Sequence, residues 1–271
     1  MIWCDQNGTP TQNHLSTPNE GQILDSQVAL RDASHRHVGG EVHNETMCGR
    51  FAVDSEINDL IEEFVADGGS VHDWAPAFNI APTDPVPVVL ERVTDGVRAR
   101  SIELGRWSLV PSWSRELSLK FPTFNARSET VTEKASFKGS VASRRALIPA
   151  RGYYEWHTEG KIKTPHFIAP PEGNVAFAGL YSWWRAGPQS EWMLTATILT
   201  METVPELAAI HDRNPVMLPE HWWSDWLNPE VPGDQHFVDA AVAASRPVAS
   251  SLEYYEVAPV RGDGPQLIQP L

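Results

Sequence analysis

Four short apolar runs, at residues 146–148, 165–168, 175–181 and 192–199, follow one another with glycine, proline and charged residues between them. Runs of this length bounded by turn formers read as strands. Helical periodicities at 136–145, 204–210, 220–227 and 236–244 do not alternate regularly with those strands. A doubly wound parallel sheet needs that alternation, so the order predicts an α+β fold: a mostly antiparallel or mixed β-sheet core with peripheral helices. Upstream, Ile57, Leu60, Ile61 and Phe64 fall at helical spacing behind Asp54 or Ser55 as a cap, with an end near Gly68-Gly69, and residues 86–90 read as a further strand. No internal repeat and no glycine-rich phosphate loop interrupts this pattern.

The chain has 271 residues with 41% hydrophobic content, enough to bury the core of one large domain or two small ones. Residues 1–46 are rich in Asn, Gln, Thr, Ser, His and Gly and show no sustained period, so they read as a disordered leader or a mis-called start. The ordered domain is expected over 47–271. His35, His37 and His43 lack the spacing and cysteine partners of a metal site. No run approaches the roughly 20 apolar residues of a spanning helix, and the basic and apolar regions of a signal peptide are missing, so no membrane association and a cytoplasmic location are expected.

The formal charge of −14 argues against a protein that coats DNA non-specifically, because phosphate binding is driven mainly by Lys and Arg. The charge is unevenly spread. From Arg98 to Arg151 there are eleven basic residues (Arg98, Arg100, Arg106, Arg115, Lys120, Arg127, Lys134, Lys138, Arg144, Arg145, Arg151) against Glu103, Glu116, Glu129 and Glu133. This is either one basic stripe on an acidic protein or an ordinary mixed-charge surface.

Four segments carry chemistry. In Met47-Cys48-Gly49-Arg50, removal of the methionine would leave Cys48 N-terminal, with a thiol and an α-amine on one carbon frame. The amine, with a reference pKa near 8, keeps a neutral fraction at pH 7. An aldehyde meeting this pair forms a Schiff base and then a five-membered thiazolidine. Within Phe121–Thr130, Asn125 could orient a substrate oxygen and Arg127 could hold a phosphate, although the segment reads equally as a helix-capping turn. After the strand at 146–148, an aromatic turn holds Glu155 among Tyr153, Tyr154 and Trp156. Burial there would raise its pKa for proton exchange, while an alternating strand would expose it. In His211-Asp212-Arg213-Asn214-Pro215, a histidine sits at a junction, either structural or a proton shuttle beside a phosphate site.

These segments, with Asn79-Ile80-Ala81-Pro82-Thr83 and Trp107-Ser108-Leu109-Val110-Pro111, occur in an order that resembles the SRAP family of SOS response-associated peptidases, or abasic-site processing proteins. The resemblance runs from Met47 to a strand near Val257. It implies a single SRAP-like domain that captures abasic sites in single-stranded DNA. It further implies that Cys48 forms the cross-link, Asn125 positions the sugar, Glu155 transfers protons and His211 assists ring opening and reversal. By the same resemblance Arg50, Arg127 and Arg213 bind phosphates and Trp107 lines the DNA path. Asn214 departs from the family's usual methionine.

Two other readings compete. One is a cysteine peptidase or N-terminal-nucleophile amidohydrolase acting in trans through Cys48. The other is a non-catalytic module for single-stranded DNA, for which arginines and tryptophans suffice. The expected chemistry calls for no metal and no cofactor, and one-to-one capture works for a monomer.

Overall fold

The structure is a computed structural model and describes residues 49–64 and 74–271. The leader at 1–46, Met47, Cys48 and the expected helix end near Gly68-Gly69 lie outside the described residues.

Twelve strands form two sheets among the described residues. The first sheet contains β3 (Pro85–Thr94), β4 (Val97–Trp107), β6 (Arg145–Ala150), β9 (Val175–Trp184) and β10 (Met193–Glu202). Its order β10-β4-β3-β6-β9 closes on itself because β9 also pairs with β10, from Met193↔Trp184 to Ile198↔Gly179. Two short strands extend β10 beyond this ring: β5 (Asn125–Arg127), parallel to it, and β11 (Arg213–Pro215), antiparallel. The second sheet has the order β12-β8-β7-β1-β2 and is antiparallel throughout. Its strands are β1 (Arg50–Val53), β2 (Ala77–Ile80), β7 (Gly152–Glu159), β8 (Ile162–Ala169) and β12 (Glu253–Glu256). The mixed first sheet and antiparallel second sheet bear out the expected α+β class.

Local chemistry explains the hairpins. β3 and β4 meet through Asp95-Gly96, both at positive φ (52° and 77°), the two-residue turn whose twist matches that of its strands. β7 and β8 meet through Gly160-Lys161, with Gly160 at φ 62° in the first turn position. The four α-helices among the described residues are peripheral: α1 (Ile57–Phe64), α2 (Lys138–Val141), α3 (Trp223–Leu227) and α4 (Gln235–Ser250). Asp234 caps α4 by accepting from the Phe237 amide at 2.8 Å, and the helix buries Val238, Ala241, Ser245 and Ala249 at helical spacing.

Three sequence expectations need correction. The helix at 136–145 shrinks to α2, because Arg145 already begins a fully buried strand. The pattern at 204–210 holds only a short 3-10 turn at Pro205–Leu207. The aromatic turn after 146–148 is itself a strand, since β7 follows β6 with only Arg151 between them.

The main core lies between the sheets. Phe51 packs edge-on against Trp107 at 4.9 Å and Phe177 at 5.8 Å between ring centres, and Tyr153 meets Phe177 at 6.2 Å. A smaller cluster covers the opposite face of the second sheet, with Ala52, Tyr154, Phe167, Ala169, Val257 and Leu267. Tyr153 and Tyr154 therefore point to opposite faces, and Glu155 returns to the face that Tyr153 occupies.

Candidate active site

The far end of β10 gathers three of the expected residues. Asn125 sits beside Ile198, Arg127 beside Thr200, and Pro215 opposite Thr200. Arg213, beginning β11, reaches back so that Nη2 donates to the Thr200 carbonyl at 2.8 Å. The side of this cluster opens into a cavity of about 490 Å³ whose lining includes Phe121, Asn125, Arg127, Thr130, Lys134 and Phe137. Arg127 is exposed there. The segment that read as a helix-capping turn is thus a strand followed by a 3-10 turn, Ser128–Thr130.

His211 sits at the mouth of β11. The Arg213 backbone amide donates to His211 Nδ1 at 3.0 Å. A nitrogen that accepts from a fixed amide carries no proton, so the ring proton is on Nε2. Asp212 Oδ1 also lies 3.0 Å from Nδ1, but its carboxylate is 87% exposed and free to turn to water, so the backbone contact sets the tautomer.

A second group lies on the β1–β7 pair. Arg50 pairs with Tyr154, and continuing that register by one step sets Gly49 across from Glu155. Cys48 itself lies outside the described residues. Glu155 is only 3% exposed, which decides between its two readings in favour of burial, and it pairs in register with His166 on β8. The Nδ1 of His166 lies 3.1 Å from the Thr164 carbonyl, to which it donates as Nδ1–H.

Trp107 corrects an expectation. Its side chain is fully buried, so it presents no face to DNA. It joins the two groups instead: one edge meets Phe51, next to Arg50, and the ring packs edge-on against Phe124, next to Asn125, at 5.6 Å. Its indole N–H donates to the Phe124 carbonyl at 2.8 Å. Asn214 is likewise buried, with Oδ1 accepting from the Val204 amide and Nδ2 donating to the Pro215 carbonyl. A polar residue is satisfied in a place where an apolar one would serve.

Two rings that sequence reasoning passed over face solvent. Trp113 is 64% and Phe121 78% exposed, both on the connection between β4 and β5. Trp113 lines a second hollow of about 370 Å³ together with Arg115 and Lys120. Exposed rings beside basic side chains are the chemistry on which bases of a single strand can stack. The available signal was their place in a proline-bounded stretch, Pro111 to Pro122, with no periodicity to bury them. Among the described residues no group of His, Cys, Asp and Glu is arranged to hold a metal ion, and no helix is long and apolar enough to cross a membrane.

Comparison with known proteins places this geometry. The family model of the SOS response associated peptidases (SRAP) matches residues 47–261. The abasic site processing protein YoqW of Bacillus subtilis is 34% identical over 233 residues, covering 82% of this chain and 99% of that protein. The abasic site processing protein HMCES of Gallus gallus is 29% identical over 231 residues, covering 73% of this chain and 67% of its own. A crystal structure of a protein from Bacteroides thetaiotaomicron superposes with a TM-score of 0.70 at 20% identity, over 83% of this chain and all of that one, a likeness of fold.

Proposed function

The chain belongs to the SOS response associated peptidase family, and from that premise we propose that it processes abasic sites in DNA, capturing the open-chain sugar in single-stranded DNA through Cys48. The observation that carries the reading is the assembly of Asn125 and Arg127 on β5 and Arg213 on β11, both strands paired to β10, beside a cavity that the exposed Phe121 ring also lines. The local surface is basic and aromatic although the whole chain carries −14.

In this reading, removal of Met47 frees the α-amine of Cys48. Arg50, Arg127 and Arg213 take phosphates of the strand, and Trp113 and Phe121 stack its bases. Asn125 holds the sugar. The His211 Nε2–H faces the ring oxygen and protonates it as the C1′–O4′ bond breaks, while the C1′ hydroxyl gives its proton to water, leaving the aldehyde. The amine attacks C1′, and Glu155, buried beside the start of β1, takes up its proton and returns one as water leaves. The thiol then adds across the imine: sulfur bonds to C1′ and its proton passes to nitrogen. The thiazolidine retains every atom of both partners except one water. No oxidant, metal or cofactor enters, one protomer suffices, and the setting is cytoplasmic.

The test uses single-stranded DNA with one abasic site, mixed with full-length protein and with protein beginning at Met47. The Met47-start protein is expected to yield a denaturation-resistant adduct whose mass is the sum of the partners less one water. Cys48→Ala is expected to yield none. A folded, Met47-processed protein that forms no adduct but cleaves peptides would replace this reading with that of a peptidase acting in trans.

A further inference from the structure

A short chain of hydrogen bonds leads from the loop at 262–263 to Arg50. Arg50 Nη1 donates to Asn79 Oδ1 at 2.6 Å. The other half of that carboxamide is also engaged, because Asn79 Nδ2 donates to the Gly262 carbonyl at 2.7 Å. One residue earlier, the Phe78 amide donates to Asp263 Oδ1 at 2.6 Å, and the Phe78 carbonyl accepts from the Tyr154 hydroxyl, also at 2.6 Å. Burial, then Asp263, push the Tyr154 hydroxyl well above the usual phenol range, so it stays a donor.

β2 is the last strand of its sheet, and its free edge would otherwise be unpaired. The loop at 262–263 covers that edge in place of another strand. Gly262 holds φ 72°, a left-handed conformation that costs a side-chain-bearing residue energy even though a Cβ there would meet nothing within 4 Å. The loop follows directly on the stretch matched by the family model, which ends at residue 261.

An arginine side chain is long and loses much rotational freedom when its guanidinium is fixed. With its carboxamide held at the nitrogen end by Gly262, Asn79 presents Oδ1 in one direction. The partner is also neutral, so Arg50 keeps its full charge for another ligand. We propose that Asn79 is a positioning residue of the site: clamped by the loop at 262–263, it aims the Arg50 guanidinium at a DNA phosphate. The proposal rests on the phosphate role given to Arg50 above.

The experiment is a thermodynamic cycle on the Met47-start protein, read as affinity for an undamaged single-stranded oligonucleotide by fluorescence anisotropy and as adduct rate on its abasic counterpart. Arg50→Ala is expected to weaken binding about tenfold, and Asn79→Ala about three- to fivefold, as befits a lost charge-assisted contact. Asn79→Asp should weaken it at least as much, since it holds the arginine while neutralising it. In an Arg50→Ala background Asn79→Ala should add almost nothing. Equal cost of Asn79→Ala in both backgrounds would make it merely structural and overturn the proposal, as would Asn79 variants that bind like the parent while Arg50→Ala does not. If Arg50→Ala itself binds like the parent, the phosphate role fails and the positioning role falls with it.

Discussion

Arg213 and Glu129 meet in a two-point ion pair, with Nη1 to Oε1 and Nη2 to Oε2 both at 2.9 Å. Nη2 also donates to the Thr200 carbonyl, so the guanidinium is fixed in plane against β10. Burial is the largest single influence and pushes the Glu129 carboxyl up, but the Arg213 hydrogen bond, a bond from its own backbone amide and the charges of Arg213 and Arg127 together outweigh it and leave the group below its ordinary range. The guanidinium is thus already matched by a carboxylate, and in the proposed reading DNA would have to displace that partner.

Glu129→Gln keeps the shape of the pair and removes its charge. Its affinity for single-stranded DNA should rise about three- to tenfold at low salt, with a steeper salt dependence as one more cation becomes available. Anisotropy titrations at several salt concentrations check this, and an unchanged affinity and slope would mean that Arg213 meets no phosphate. The sign with pH follows from the depressed folded pKa. The contribution of the pair to stability is present above the ordinary carboxylate value and is lost as pH falls through the folded one.

Tryptophans at two positions should fail in opposite ways. Trp113→Ala, and Phe121→Ala with it, remove exposed rings and should each weaken single-stranded DNA binding by about 1–3 kcal/mol with little change in melting temperature. Trp107→Ala empties a buried site between Phe51 and Phe124 and should cost about 3–5 kcal/mol of stability. Melting curves beside binding curves separate the two classes. A Trp113→Ala protein that binds normally would remove the stacking platform from the reading.

That contrast shows what the sequence made legible. Trp107 and Trp113 lie six residues apart, yet only tertiary packing tells core from surface: Trp107 ends a strand of the closed ring, and Trp113 sits past the proline that follows it. Strands such as β9 and β10 announced themselves because both faces are buried and the apolar runs are long. β4 did not, since Arg98, Arg100 and Ser101 break its pattern, although Asp95-Gly96 after β3 is a hairpin signal that would have found it. Glu155 was legible as a candidate, but its burial follows from register with β1 and β8, which no local pattern encodes. The clamp on Asn79 joins residues 183 positions apart and left no trace in the sequence.

Glu103 should set part of the pH dependence of stability. It is 4% exposed, takes an ion pair from Arg92 and accepts from the Ser101 hydroxyl at 3.2 Å. Burial nevertheless dominates Arg92 and Ser101, and holds the carboxyl above its ordinary value of 4.5. An acid whose folded pKa is raised contributes most to stability below its unfolded value, and the contribution is lost as pH rises through the folded value. Melting temperature should therefore fall over that interval in the parent, and Glu103→Gln should flatten the profile. Arg92→Ala, which strands a buried carboxylate, should cost about 3–5 kcal/mol at neutral pH. An identical pH profile in the Glu103→Gln protein would exclude this origin.

Arg145 is the strongest stability prediction, because its buried charge is held by carbonyls alone. Nε donates to Trp226 O at 2.6 Å, Nη1 to Val141 O and Ala142 O at 2.8 and 2.9 Å, and Nη2 to Asn228 O and Val231 O at 2.5 and 2.8 Å. The guanidinium also lies 5.0 Å from the Phe237 ring centre and 5.9 Å from that of Trp226. Burial lowers its pKa to about 10, still far above neutral, so the charge is retained. The site is closed around it: a Cβ on Gly233 would stand 2.2 Å from Val141 O and 2.9 Å from Arg145 Nη1. Lysine has three donors on one atom and cannot span five acceptors around a plane, so Arg145→Lys forfeits at least two of these five charge-assisted hydrogen bonds. The expected cost is about 3 kcal/mol, or roughly 6–12 °C in Tm for a domain of this size. Urea unfolding measures it, and a loss under about 1 kcal/mol would show that the surrounding loops adapt to a point charge. Because Arg145 ties α2 to the turn after α3 and does not line the cavity beside Asn125 and Arg127, the folded fraction of the variant should form the DNA adduct at the parent rate.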